Sequence, residues 1–178
     1  MKRILNCLAS DFTKMNGKDL KASIEAAEGR TMIAEIVCTA TPLYPGLTNA
    51  EYAAAFGADM ILLNMFDVNA PRIMGLENVP AENLIRKLKE LLGRPVGINL
   101  EPVDVHALPA ETLQKLLPTG RISTADSLKR AKELGVDFIC LTGNPQTGVT
   151  NNEIMQAITT AKTICDDDCM IIAEKTTL

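Results

Sequence analysis

Apolar residues along this chain fall into two alternating rhythms. Short, nearly continuous apolar runs are each followed by a stretch whose apolar positions recur every three or four residues. The runs are Thr31–Cys38, Met60–Asn64, Pro95–Glu101, Phe138–Thr142 and Cys169–Ala173. Runs of this length predict strands covered on both faces, as in a parallel sheet. The periodic stretches predict crossover helices. Leu84, Ile85, Leu88, Leu91 and Leu92 share one helical face, which Gly93 ends. Leu128, Ala131 and Leu134 form a second such face, and Ile154, Ala157, Ile158, Ala161 and Ile164 a third.

Local signals sharpen the boundaries. Thr48-Asn49-Ala50-Glu51 and Thr150-Asn151-Asn152-Glu153 are capping boxes, and Ser123-Thr124-Ala125-Asp126 is a variant with Asp at the last position. Gly57-Ala58-Asp59 and Gly135-Val136-Asp137 each join the end of a helix to the start of an apolar run, 78 residues apart. This echo predicts repeated βα units. Residues 1–30 form a helical prelude in which Asn16-Gly17-Lys18-Asp19 opens a helix with Leu20, Ile24 and Ala27 on one face. Residues 31–178 carry the βα units, and the whole is expected to be one α/β domain. The long stretch Pro102–Gly120 is expected to hold one short helix, Ala110–Leu117.

The fold class that follows is a partial (β/α) TIM-like barrel of about five parallel strands. A closed eight-stranded barrel typically takes about 250 residues, against 178 here. The alternative is a flavodoxin-like open parallel sheet. Polar residues at the carboxyl end of nearly every strand favour the barrel, because a barrel rim draws one or two residues from each strand. A chain that stops after five strands leaves open edges, which predicts a homo-oligomer.

Composition narrows the partners. The net charge of −4, 3% aromatics and the lack of Trp argue against nucleic acid or an anionic membrane surface as a partner. No run is long enough to span a bilayer, and the first residues do not read as a signal peptide. Five cysteines, an odd number, with Cys38 and Cys140 inside apolar runs, suit a reducing cytoplasm. Cys165-Asp166-Asp167-Asp168-Cys169 has a metal-like spacing but no second Cys/His pair, so a solvated turn is the simpler expectation.

Candidate chemistry gathers at the strand ends. Glu35 lies inside an apolar strand, where a carboxylate is costly unless paired or solvated. It is a candidate base or metal ligand, with an internal ion pair to Arg30, Arg72 or Lys175 as the alternative. Asn64 with Asp67, and Asn99 with Glu101, place oxygen ligands after the second and third strands. These could hold Mg²⁺ or a polar substrate, or simply cap loops. Glu35, Asp67 and Glu101 are the catalytic candidates. The segment Thr142-Gly143-Asn144-Pro145-Gln146-Thr147-Gly148 leaves a strand and enters a helix N-terminus, where an anion is welcome. Thr142, Gly143, Asn144, Thr147 and Gly148 therefore join Asn64 and Asn99 as substrate-binding candidates. The lone His106 sits in the insertion and reads as exposed and idle.

The run Gly135–Gly148 resembles the strand and loop of BtpA-like barrels. Glu28-Gly29-Arg30-Thr31, Phe56–Asn64 and Arg94–Pro102 are similar to uncharacterised bacterial TIM-barrel proteins labelled phosphoenolpyruvate phosphonomutase-like. The resemblance implies a lyase or isomerase of phosphonomutase type, or a hydrolase. It carries over no catalytic residue, since the mutase's cysteine-containing catalytic loop has no counterpart here. The functional expectation is an enzyme acting on a small phosphorylated or carboxylated metabolite. The alternative is a non-catalytic barrel fragment that binds a metabolite or assembles through its open edges.

Overall fold

The computed structural model describes residues 2–104, 112–113, 117–144, 147 and 149–175. Five strands, β1 (Ile33–Val37), β2 (Met60–Asn64), β3 (Val96–Leu100), β4 (Phe138–Gly143) and β5 (Met170–Lys175), form one sheet in the order β1-β2-β3-β4-β5. Every neighbouring pair is parallel. Staves laid down in chain order are the arrangement of a (β/α) barrel wall. A flavodoxin-like sheet would place its second strand outside the first, so that alternative is overturned.

Helices α1 (Ala9–Phe12) and α2 (Gly17–Glu25) precede the sheet. The crossovers are α3 (Asn49–Ala55), α4 (Leu84–Leu92), α5 (Ala125–Leu134) and α6 (Asn151–Cys165). Thr48 and Thr150 make the expected capping boxes, each with its glutamate reaching back to the cap. The third cap falls one residue later than expected. Thr124, not Ser123, accepts the N–H of Ser127, while Ser123 continues the pairing beside β3 by donating its N–H to Glu101 O. Asn16 caps α2 by accepting from Asp19 N. Of the expected insertion helix, Thr112 and Leu113 are described as helical; His106 lies outside the described residues.

Side chains alternate across the strands and build two cores. On the outer face Ile61, Leu63, Ile98, Leu100, Ile139 and Leu141 pack against α3–α6 through residues such as Ala50, Leu88, Leu128 and Ala161. On the inner face Met60, Leu62, Phe138, Cys140 and Met170 are covered by the N-terminal segment through Ile4, Cys7, Phe12 and Leu20. The prelude thus fills the lower part of the concave side. Gly17 makes this possible, since a Cβ there would meet the Cys169–Met170 peptide at 2.3 Å.

The two Gly-x-Asp turns have one physical cause. Gly57 and Gly135 take positive φ values of 97° and 82° at the helix ends. Two residues on, Asp59 accepts Met32 N at 2.8 Å and Asp137 accepts Val96 N at 2.9 Å. Each aspartate satisfies an N–H at the start of the preceding neighbouring strand.

Candidate functional site

The prelude leaves the upper part of the inner face open, at the carboxyl ends of the strands. A chain of hydrogen bonds crosses it. Asn99 Nδ2 donates to Glu35 Oε1 at 2.7 Å. Thr142 Oγ1 lies 3.0 Å from Asn99 Oδ1 and 3.2 Å from Glu174 Oε1. The chain runs from β1 through β3 and β4 to β5. The parallel register makes it possible, because Asn99 pairs with Cys140 and Thr142 with Glu174, so inward-facing polar residues fall on adjoining levels. Asn99 is buried, whereas Glu35 and Glu174 are exposed to the concave side.

Glu35 is therefore held by an amide and not by Arg30, which pairs with Glu28 at 3.0 Å. Among the described residues neither Glu35 nor Glu174 has a cation at ion-pair distance.

A second grouping lies beside the first. Glu101 is buried and pairs with Arg121 at 3.1 Å, while Asn144 Nδ2 donates to its other oxygen at 3.4 Å. Burial pushes the Glu101 carboxyl up from its ordinary value of 4.5, against the pull of Arg121 and Asn144. A carboxyl raised in the folded state contributes stability that is present below the unfolded value and lost as pH rises through the folded one. Wild type is therefore expected to lose stability relative to Glu101→Gln between about pH 4 and about pH 7 in denaturant titrations. A difference that stays flat would mean that Arg121 fully offsets the burial. Arg121 was not among the candidates, and no local pattern marks it: it lies 20 residues from its partner, at the end of the 3-10 turn Thr119–Arg121.

The remaining candidates are distributed as follows. Asp67 does not join the chain. Its Oδ1 accepts from Asn69 N at 2.8 Å and Ala70 N at 3.3 Å, and it packs against Gly120. Asn64 closes β2 half-buried, with its carbonyl accepting Cys38 N at 3.0 Å. Gly143 allows Ile154 of α6 to pack on the strand, where a Cβ would come within 2.7 Å. Thr147 is buried and donates to the Asn144 carbonyl at 2.8 Å. Gly148 lies outside the described residues.

At the start of α6 the chain's own Glu153 carboxylate closes the cap. Glu153 Oε2 accepts Thr150 N at 2.7 Å and also contacts Thr150 Oγ1. These contacts hold the Glu153 carboxyl below its usual range.

The described residues contain no group of three or more His, Cys, Asp or Glu side chains suited to a metal. Cys165 and Cys169 are free thiols, and the three aspartates between them are exposed, as a solvated turn requires. No helix among the described residues is long and apolar enough to cross a membrane.

A cavity of about 670 Å³ lies elsewhere, at the amino end of the sheet between α1, α4 and α5. Phe12, Arg86, Arg94 and Leu134 are among the residues that line it. It shares no residue with the strand-end chain.

The chain belongs to the family described as a domain of unknown function, DUF7916, whose family model matches residues 5–177. That assignment overturns the resemblance to phosphonomutase-like and BtpA-like barrels. No curated protein matches the chain. Among solved structures, it is similar to one described as a putative alpha-N-acetylgalactosaminidase from Bacillus halodurans C-125, at 15% identity and a TM-score of 0.47, over 81% of this chain and 48% of that one. It is also similar to a GH27 β-L-arabinopyranosidase from Geobacillus stearothermophilus in complex with arabinose, at 13% identity and a TM-score of 0.49, over 93% of this chain and 51% of that one. The chain spans about half the length of these structures.

Proposed function

We propose that the concave strand-end surface is the active site of a barrel-type enzyme, with Glu35 and Glu174 as its acid–base pair. The observation that carries this reading is the hydrogen-bonded chain Glu35–Asn99–Thr142–Glu174. A hydroxyl has one proton to give. With Asn99 donating to Glu35, its oxygen turns toward Thr142 and takes that proton. Thr142 Oγ1 also lies within hydrogen-bond reach of Glu174, so the chain ends in a carboxyl group on each flank of one surface, the two groups that acid–base chemistry needs.

The charge of the surface selects the substrate class. Arg121 is committed to Glu101, while Glu35 and Glu174 have no cationic partner among the described residues. A phosphorylated or carboxylated metabolite would meet uncompensated carboxylates, so a neutral polyhydroxylated or a cationic small molecule fits better. Mg²⁺ would be needed to bring an anion there.

A second reading rests on the β1 edge. Met32, Leu43, Tyr44 and Phe56 are 62%, 74%, 61% and 78% exposed beside that strand. Exposed apolar side chains near both ends of an open edge suit association of two copies, as a homo-oligomer.

One experiment addresses both readings. Thermal shifts are measured with neutral polyols, amines and phosphorylated metabolites, with and without Mg²⁺, and the mass is followed by light scattering. An upward shift with a polyol or amine that Glu35→Gln abolishes is the expected result. Shifts confined to phosphorylated compounds without Mg²⁺ would overturn the substrate class. No shift from any compound, with a stable dimer in solution, would favour the second reading.

A further inference from the structure

The cavity at the amino end of the sheet is built by elements that the strand-end surface does not use. Gly93 ends α4 in the left-handed region, and a Cβ there would meet Ala9 Cβ at 2.8 Å. The missing side chain lets α1 of the prelude pack against the end of α4. The last turn of α5 closes the third side with Leu134 and Gly135. Phe12 and Leu134, 8% and 3% exposed, give the hollow apolar walls. Its volume of about 670 Å³ falls in the range of sites that enclose a small organic molecule.

Most of the charged groups around this hollow are already paired. Arg86 stands 3.7 Å from Glu90, Lys89 2.7 Å from Asp137, and Glu133 3.0 Å from Arg130. Glu82 is exposed and precedes the first turn of α4, at the far end from Gly93. Arg94 is different. It is half-buried, lines the hollow directly after the end of α4, and its guanidinium makes no hydrogen bond or ion pair among the described residues.

A cation just past a helix C-terminus is favoured by the helix dipole alone. Elsewhere in this chain such cations reach a carbonyl at a helix end. Lys89 donates to the Gly135 carbonyl at 3.2 Å and Lys132 to the Ile164 carbonyl at 3.3 Å. Arg94 reaches none, so its donors are left facing the hollow. A guanidinium stays charged and carries five N–H donors, two of which match a planar carboxylate side by side.

We propose that this hollow is a second binding site, for a small amphipathic carboxylate whose anionic end rests on Arg94 and whose apolar body lies against Phe12 and Leu134. The carboxylate satisfies the uncommitted guanidinium, and the apolar body takes the walls out of water. An amine in the same place would meet Arg94 as a like charge. The strand-end surface has the opposite preference, since Glu35 and Glu174 have no cationic partner among the described residues. One anionic probe therefore separates the two sites.

The test is isothermal titration calorimetry on the full chain at neutral pH. The probes are 4-phenylbutyrate and octanoate, compared with 4-phenylbutanamide, 4-phenylbutylamine and inorganic phosphate. At least one carboxylate is expected to bind, with the amide and the amine at least about tenfold weaker because the charge-assisted pair is lost. Arg94→Gln is expected to lower the carboxylate to the affinity of the amide, with Arg94→Lys between the two. Ser10→Leu is expected to abolish binding, because Ser10 is exposed on α1 and lines the hollow, so the added bulk enters the space. Glu35→Gln is expected to change nothing. An amide that binds as tightly as its acid would overturn the proposal, and so would inorganic phosphate binding as tightly as either acid. Binding lost in Glu35→Gln and kept in Arg94→Gln, or no heat from either carboxylate at millimolar concentration, would overturn it too. The comparison of acid with amide uses wild type alone and does not depend on any variant folding.

Discussion

Substituting Gly97 by alanine is expected to cost about 3 kcal/mol of folding stability, measured by urea denaturation. Gly97 sits on the inner face of the central strand, level with Leu62 on β2 and Phe138 on β4. An added Cβ would come within 2.4 Å of ring atoms Cδ2 and Cε2 of Phe138. That ring is fully buried against the prelude. Phe138→Ala alone is expected to cost about 4 kcal/mol through the cavity it leaves. The two changes should not add. The alanine at 97 partly fills the space the ring vacates, so the double variant is expected to be about 1–2 kcal/mol more stable than the sum predicts. Strictly additive costs would mean that the strand yields at Gly97 without disturbing Phe138.

This coupling lies between residues 41 positions apart, and nothing in the local pattern around either one announces it. Period and punctuation show individual elements well. The run Met60–Asn64 is observed with the boundaries the pattern predicts, because Gly57 and Asp59 fix its start. The first strand is shorter than its apolar run: it begins at Ile33, since Met32 N is taken by the Asp59 side chain. Edge position explains the rest of its character. Ile33 and Val37 are 38% and 39% exposed, although their sequence context resembles that of a covered strand. Hydrophobic periodicity reports what a residue would bury, not whether a neighbour is there to bury it.

The candidate site was legible in part for the same reason. Glu35, Asn99 and Thr142 are polar residues in apolar runs, and that mismatch marks them. Their convergence depends on register, which a single strand does not encode. Asp67 follows an apolar strand as Glu101 does, yet its carboxylate closes a turn. Glu174 stands out less because Lys175 and two threonines follow it, and only its level beside Thr142 brings it into the chain. The docking of the prelude was invisible as well. Its helix could be read from Leu20, Ile24 and Ala27, but the surface it covers depends on Gly17 meeting the distant Cys169–Met170 peptide.

Asp137→Ala is expected to destabilise the fold by about 3 kcal/mol, and Asp59→Ala by about 1 kcal/mol. The two aspartates occupy equivalent turns and each accepts one strand-start N–H. Asp137 does more. Its other oxygen takes Lys89 Nζ at 2.7 Å, and its side chain is only 17% exposed. Truncation there strands both a buried N–H and a half-buried ammonium, although Lys89 keeps the Gly135 carbonyl at 3.2 Å. Asp137→Asn separates the two losses, because an amide oxygen still accepts Val96 N while the charge is gone. It is expected to recover more than half of the deficit at neutral pH. Burial raises the Asp137 carboxyl despite Lys89, so its ionised form is not favoured by the fold. The wild-type advantage over Asp137→Asn should therefore narrow, not widen, as pH rises from about 4 to about 7. An asparagine variant as unstable as alanine would place the stabilisation in the ion pair with Lys89. Equal costs at positions 59 and 137 would mean that the N–H cap alone sets the energy of these turns, and that Lys89 contributes nothing beyond it.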